Sequence, residues 1–262
     1  MSQYQENAIV TRVEQFSAKN YRLTLECPEI AGSARPGQFV MIRMGLGKDP
    51  LLRRPFSIHQ ASANGTIQIY FKVVGRGTDI LAHVKTGENI SVFGPLGQGF
   101  RVDEKSTAVL VGGGLGIAPM LFLAKAICRL KSGCYDDFII LGGRKKEEIE
   151  PLLDNFREIG ITFYSATDDG SHGHHGNVVD VLQSFDLPEQ CTVYCCGPEP
   201  MLAAVAGICR ARDIGCQVSV ESVMACGMGA CLGCSRLRRD GTYGRVCMQG
   251  PVFNAEDLQW NI

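Results

Sequence analysis

The sequence carries no charge excess of either sign. Lysine and arginine number 26, aspartate and glutamate 27, and the formal net charge is −1. Nucleic acid or an anionic membrane calls for clustered basic charge, and its absence argues against both as partners. A long unbroken apolar run is also missing. Residues 107–124 (TAVLVGGGLGIAPMLFLA) lack charge, but three glycines and Pro119 interrupt them, and Lys125 and Arg129 follow. A buried strand, a glycine turn and a buried helix account for this stretch better than a bilayer span does. Residues 1–15 hold no apolar signal core, which predicts a protein that is not secreted and works in the cytoplasm. Repeats, long linkers and low-complexity tracts are absent too.

What is present is an ordinary globular composition, 45% hydrophobic and 20% charged, over 262 residues. That excludes a disordered chain and predicts two domains with a small appendage. Glycine is abundant, 31 residues, as expected where the backbone turns tightly or approaches ligands. Cysteine, with 12 residues, needs a compartment before it needs a role. In an unsecreted chain disulfides are not expected, and clustered cysteines read as metal or redox sites.

The patterning changes twice along the chain. Residues 21–27, 38–44, 67–73 and 89–94 are short runs rich in β-branched and aromatic residues, separated by Pro36-Gly37, Asn64-Gly65 and Thr86-Gly87. Strands at such spacing predict an antiparallel barrel or sandwich. From about residue 105, strand-like runs (107–111, 137–143, 161–169, 191–197) alternate with helical ones, two of them closed by Gly160 and Gly215. This predicts a parallel α/β sheet. Residues 216–262 are Cys- and Gly-rich, with one hairpin signal at Asp240-Gly241.

Cys226, Cys231, Cys234 and Cys247 form C-x4-C-x2-C-x12-C. The first three match the plant-type [2Fe–2S] run, in which four thiolates hold two irons. The small residues between them let the loop wrap closely and aim N–H groups at sulfur. Structural zinc is the alternative, but zinc sites commonly pair two C-x2-C units, and only one exists here. The other eight cysteines, Cys128, Cys191, Cys195 and Cys209 among them, read as small buried hydrophobes.

Gly112, Gly114 and Gly116 belong to GGGLGIAP, between a predicted strand and a predicted helix, where N–H groups can face phosphate. The pattern is not G-x-G-x-x-G. Asp136 and Asp137 stand about 20 residues on but precede their strand. Asp168 and Asp169 follow one, and read equally as ribose ligands or as a capped turn. Arg54, in RRPFSI, offers a fork to pyrophosphate, with Phe56 and Ser57 near enough to meet a ring. Gly75-Arg76-Gly77-Thr78 forms a second turn into a helix. The His172–His175 run reads as a solvated loop.

RPFS, GRGT, GPLGQGF (94–100), GGGLGIAP and CGPEPM (196–201), in this order, resemble the ferredoxin–NADP reductase superfamily, over about residues 7–255. ACGMGACLGC with CMQGPVF (247–253) resembles one branch of it, the electron-transfer subunits of NAD-linked dihydroorotate dehydrogenases. The resemblance implies an FAD-binding β-barrel (1–102), an NAD-binding α/β domain (103–215) and a small [2Fe–2S] domain (216–262). It assigns FAD to Arg54, Pro55, Phe56, Ser57, Tyr70, Phe71, Lys72, Gly77 and Thr78. It turns Gly112–Gly116 and Cys196-Gly197-Pro198 toward the nicotinamide nucleotide, and the acidic TDDG at Asp168 favours NAD over NADP. It implies a partner, an FMN-containing dihydroorotate dehydrogenase catalytic subunit, in a heterotetramer. A related module serving a hydrogenase or a ferredoxin-dependent transhydrogenase is the alternative. No side chain is expected to act as a proton donor, because flavin exchanges hydride with NAD and single electrons with the cluster.

Overall fold

Antiparallel pairing governs the first third of the chain. In the computed structural model, which describes residues 2–45 and 49–260, seven strands form one sheet. They are β1 (Tyr4–Gln15), β2 (Asn20–Glu26), β3 (Phe39–Ile42), β4 (Arg54–Ser57), β5 (Gln60–Ser62), β6 (Thr66–Lys72) and β7 (Asn89–Leu96). Their order is β4-β3-β7-β1-β2-β6-β5, so the sheet curls into a half-barrel with β4 and β5 as edges. Period-2 alternation decides the faces: in β2, Leu23 and Leu25 are fully buried between half-exposed neighbours. They pack with Ile42, Ile67, Ile69 and Phe71. Two short helices, α1 (Pro28–Ser33) and α2 (Arg76–Ala82), complete this unit. The expected turns carry left-handed glycines at Gly37, Gly65 and Gly87.

The second unit runs β8 (Thr107–Gly113), α3 (Ile117–Leu130), β9 (Phe138–Gly143), α4 (Lys146–Ile159), β10 (Thr162–Thr167), β11 (His174–His175), α5 (Val178–Ser184), β12 (Cys191–Cys196), α6 (Glu199–Ala211) and β13 (Gly215–Ser219). These strands pair in parallel, with β8 central and almost wholly buried, as a strand covered by helices on both faces must be. The uncharged run 107–124 is thus β8, a glycine turn and the start of α3. Among the described residues no helix is long and apolar enough to cross a membrane.

The C-terminal segment forms the hairpin β14 (Ser235–Leu237) and β15 (Tyr243–Arg245), turned by Gly241 at φ 81°. It then forms α7 (Val246–Gln249) and β16 (Val252–Asn254). The second sheet has the order β11-β10-β9-β8-β12-β13-β16. Residues 216–219 and 252–254, read from composition as part of the third unit, are therefore hydrogen-bonded into the α/β sheet. The Cys- and Gly-rich sequence beyond them conceals the parallel strand β13. Gly215 likewise opens β13 rather than closing α6. The left-handed residue that ends α6 is Asp213, at φ 54°.

One expectation about cysteine is overturned. Cys128 and Cys134 are disulfide-bonded, with Cα atoms 4.7 Å apart. Ser132, left-handed at φ 55°, reverses the chain at the end of α3 and brings Cys134 back onto the helix. Cys128 is therefore not a plain hydrophobe; Cys191, Cys195 and Cys209 are free and buried as expected.

The two units meet where β2, β5 and β6 face α3 and α4. Lys72 Nζ lies 3.3 Å from Glu148 Oε1, Arg22 donates to Asn155 Oδ1 at 3.1 Å, and Lys125 donates to Gln60 Oε1 at 2.8 Å. His59 is fully buried here, with Nδ1 against the Ala118 carbonyl. Burial pushes its ring down to about 4, outweighing that hydrogen bond. The folded protein thus keeps His59 neutral where the unfolded chain, at an ordinary 6.5, takes up a proton. Stability from this group is complete above about pH 6.5 and is lost as pH falls toward 4, by about 3 kcal/mol. Urea unfolding between pH 7 and 4.5 should show this slope, and His59→Asn should flatten it.

Candidate functional site: an interdomain cleft beside a four-thiol loop

The sheet order reverses between β8 and β12, because the chain moves outward to β9 and β10 and then returns to the other side of β8. Such switch points open a crevice at the carboxyl ends of strands. A cleft of about 970 Å³ lies there, between Gly113, Gly114 and Gly116 after β8, Gly197 and Pro198 after β12, and Lys72 and Val74 from the half-barrel. The glycines are steric requirements. A Cβ on Gly116 would collide with the Cys196 carbonyl, and one on Gly197 would come within 3.0 Å of Met201 Sδ. Gly112 lies deeper, where a Cβ would meet Ile117 Cα at 3.2 Å, so its role is packing of β8 against α3. Cys196 is buried beneath the cleft, and burial pushes its thiol up to about 12.

The paired aspartates divide their roles. The Asp169 carboxylate accepts from the Ser171 N–H at 3.0 Å and from the Ser171 hydroxyl, which caps the turn and lowers its pKa. Asp168 lines the cleft. Asp137 accepts from the Ala108 N–H at 2.7 Å and from Lys131 Nζ at 2.6 Å, a buried structural knot. Arg144, missed in the sequence, lines the cleft as well. It follows β9 as Asp168 follows β10, which is the signal that could have found it. Asn20 is a further wall residue, and among the described residues its buried Oδ1 has no partner. A polar wall atom left open in this way fits a bound polar nucleotide.

On the half-barrel, the two arginines of RRPFS separate. Arg53 donates to the Ser91 carbonyl at 2.8 Å and to the Ser91 hydroxyl at 3.0 Å, tying β4 to β7. Arg54 donates to the carbonyls of Leu52 and Arg53 and, among the described residues, pairs with no carboxylate. Gly77 lies against it, with Arg54 Cγ 3.7 Å from where a Cβ would stand. Thr78 Oγ1 accepts from the N–H groups of Val74 and Gly75 at 2.9 and 3.2 Å, which fixes the turn into α2. Ser57 is exposed and Pro55 half-buried. Phe56 and Phe71, by contrast, meet edge to face inside the half-barrel, 5.8 Å apart. Their side chains pack in the half-barrel core. Tyr70 points the other way, against Phe16 and His59 at the domain interface, and its buried hydroxyl has no partner among the described residues.

The four cysteines of the C-terminal segment form two pairs. The Cys231 N–H donates to Cys226 Sγ at 3.4 Å, and Cys234 Sγ lies 3.3 Å from Cys247 Sγ. Partial burial raises the Cys226 thiol, but N–H groups of Cys231, Met228 and Ala230 outweigh it and bring the thiol down to about 6. Burial and the Cys234 thiol push Cys247 up to about 12. Left-handed Gly227, Gly229 and Leu232 wind the loop. The Arg245 guanidinium holds the Gly229 carbonyl at 3.0 Å, and the Val246 N–H holds that of Cys234 at 3.0 Å. Two sulfur pairs with backbone N–H donors fit a two-iron cluster.

Comparison with known proteins agrees with this division. Residues 7–100 match the oxidoreductase FAD-binding domain, residues 110–207 the oxidoreductase NAD-binding domain, and residues 221–259 the iron-sulfur cluster binding domain of dihydroorotate dehydrogenase B. The chain is 37% identical over 261 residues to the dihydroorotate dehydrogenase B (NAD(+)) electron transfer subunit of Desulforamulus reducens, covering 97% of this chain and 98% of that one. The corresponding subunit of Fusobacterium nucleatum is 36% identical over 262 residues, with the same coverage. A solved NADH-dependent reduced ferredoxin-NADP oxidoreductase superposes with a TM-score of 0.84 at 28% identity, over 97% of this chain and 90% of that one. Fold and site thus define an FAD- and NAD-binding oxidoreductase subunit with an iron–sulfur domain. Within that class, the chain belongs to the family of electron transfer subunits of dihydroorotate dehydrogenase B (NAD(+)).

Proposed function

We propose that this chain takes electrons from an FMN-containing dihydroorotate dehydrogenase catalytic subunit and delivers them to NAD, within a heterotetramer. Cys226, Cys231, Cys234 and Cys247 would hold a [2Fe–2S] cluster, which would supply single-electron transfer. Arg54, with Gly77 and Thr78 at the turn into α2, holds the FAD pyrophosphate. Pro55, Ser57, Tyr70 and Lys72 border the flavin, while Phe56 and Phe71 pack in the half-barrel core. Gly114 and Gly116 admit the nicotinamide nucleotide, and Asp168 accepts its ribose hydroxyls. Bound FAD supplies the exchange between hydride and single electrons. The residues of the chain bind and orient, and no side chain need donate a proton. The observation that carries this reading is the seat of the thiol loop. Gly227 packs on Met41 and Leu96, so closely that a Cβ would lie 2.6 Å from Met41 Cγ. The thiol loop is therefore seated on the FAD-binding unit, which supports electron exchange between the two sites.

Reconstitution tests it. The isolated chain should reduce dyes with NADH and show no activity on dihydroorotate. Adding the catalytic subunit should create dihydroorotate-dependent NAD reduction. Activity on dihydroorotate by the chain alone would refute the division of labour. Coupling to reduced ferredoxin instead would favour the module type of the superposed ferredoxin-NADP oxidoreductase. In the dye reaction NADH should outperform NADPH, because Asp168 repels a 2′-phosphate. Asp168→Ser should narrow that preference about tenfold, or ~1.4 kcal/mol. Equal use of both nucleotides by the unaltered protein would move the selecting residue elsewhere.

A further inference from the structure

Two helix ends in the α/β unit share a local sequence. Ile127-Cys128-Arg129 is followed by Gly133-Cys134, and Ile208-Cys209-Arg210 by Gly215-Cys216, with one more residue between. The backbones match as well. The Gly133 N–H donates to the Cys128 carbonyl at 2.8 Å, and the Ile214 N–H to the Cys209 carbonyl at 2.9 Å. Each turn passes through one left-handed non-glycine residue, Ser132 at φ 55° and Asp213 at φ 54°. The same device thus returns the second cysteine of each pair to the last turn of its helix. In the first pair the sulfurs are bonded; in the second they are free thiols.

We propose that Cys209 and Cys216 are a reversible dithiol, oxidised by a hydroperoxide to a disulfide that staples the end of α6 to β13. Both residues line a second cleft, about 660 Å³, between α6 and the C-terminal segment that ends near Trp260. Cys216 is half-buried at this cleft and Cys209 lies beneath it. The Cys216 thiol, with Arg212 nearby, outweighs burial and lowers the Cys209 thiol, while Cys209 and burial raise Cys216. Cys209 is accordingly the attacking sulfur. Its thiolate cleaves the peroxide O–O bond, forms a sulfenic acid and releases hydroxide, which leaves as water with the thiol's proton. Cys216 then attacks the sulfenic sulfur, the S–S bond forms, and a second water departs. Two electrons pass from the sulfurs to peroxide, and a dithiol reductant reverses the change. The staple lies outside the cluster loop, but β13 leads directly into it, so its closure restrains the strand from which that loop begins.

The test uses the full chain in complex with its catalytic subunit. The protein is reduced with dithiothreitol, desalted, and treated with hydrogen peroxide at a dose that reforms Cys128–Cys134. Alkylation and peptide mapping follow. The expected result is a linked peptide joining Cys209 to Cys216, with loss of both as free thiols and their recovery on reduction. Cys216→Ser should abolish the link, and Cys195→Ser, which removes the buried thiol nearby, should leave it intact. Cys209 and Cys216 remaining fully alkylatable while Cys128–Cys134 has reformed would overturn the proposal. A Cys209–Cys195 link would overturn it too.

Discussion

Cys231→Ser is expected to abolish dihydroorotate-dependent NAD reduction while FAD and the NADH–dye reaction persist. Cys231 is exposed, whereas Cys234 and Cys247 are buried. Removing its thiol therefore deletes a ligand without opening a cavity in the core. The assembled protein should contain about two irons per flavin, and the variant none at this site, with the flavin band unchanged. Analysis of iron, acid-labile sulfide and flavin on anaerobically purified protein reads this directly. Zinc in place of iron and sulfide would overturn the assignment of the four thiols. Cys247→Ser is the harsher change, because the buried hydroxyl would be left beside Cys234 in the core, and its loss of cluster should come with loss of fold stability.

The second large effect concerns docking. Around the thiols, Val223 is 88% exposed, Leu232 61% and Met228 51%. Apolar side chains standing in water beside a redox site form a surface suited to a partner. Met228→Glu or Leu232→Glu would bury an unpaired carboxylate on docking, a cost of about 2–4 kcal/mol, equivalent to a roughly 30- to 1000-fold weaker complex. Coupled activity should fall accordingly at limiting partner concentration and recover in part when the partner is in excess. The dye reaction should not change, since neither side chain borders the nucleotide cleft. Normal coupling by both variants would place the interface elsewhere. The His59 slope is separate from these effects. It arises from burial between the two folded units and should appear in stability alone.

Some of this protein was settled by local sequence. Alternation in 21–27 and 67–73 marks strands with one buried face, and the uncharged run at 107–124 marks a covered strand, a turn and a helix. The C-x4-C-x2-C spacing marks the thiol loop because its three cysteines lie within nine residues. The Asp240-Gly241 hairpin, also legible, returns the chain so that Cys247 lies beside Cys234. Other choices depended on contacts between distant segments. Nothing local distinguishes Arg53 from Arg54, or Asp168 from Asp169. Ser91, on another strand, engages Arg53 and leaves Arg54 free, and the Ser171 turn occupies Asp169 and leaves Asp168 to the cleft. That Phe56 packs edge to face on Phe71, a residue of another strand, is likewise not local information. The parallel strand β13 was hidden because Cys216–Ser219 carries little pattern of its own and is a strand by virtue of its pairing with β12. Sequence determines what can be decided within a turn or two of chain. Tertiary structure decides which of several equivalent polar groups is already satisfied, and so which remain free to bind.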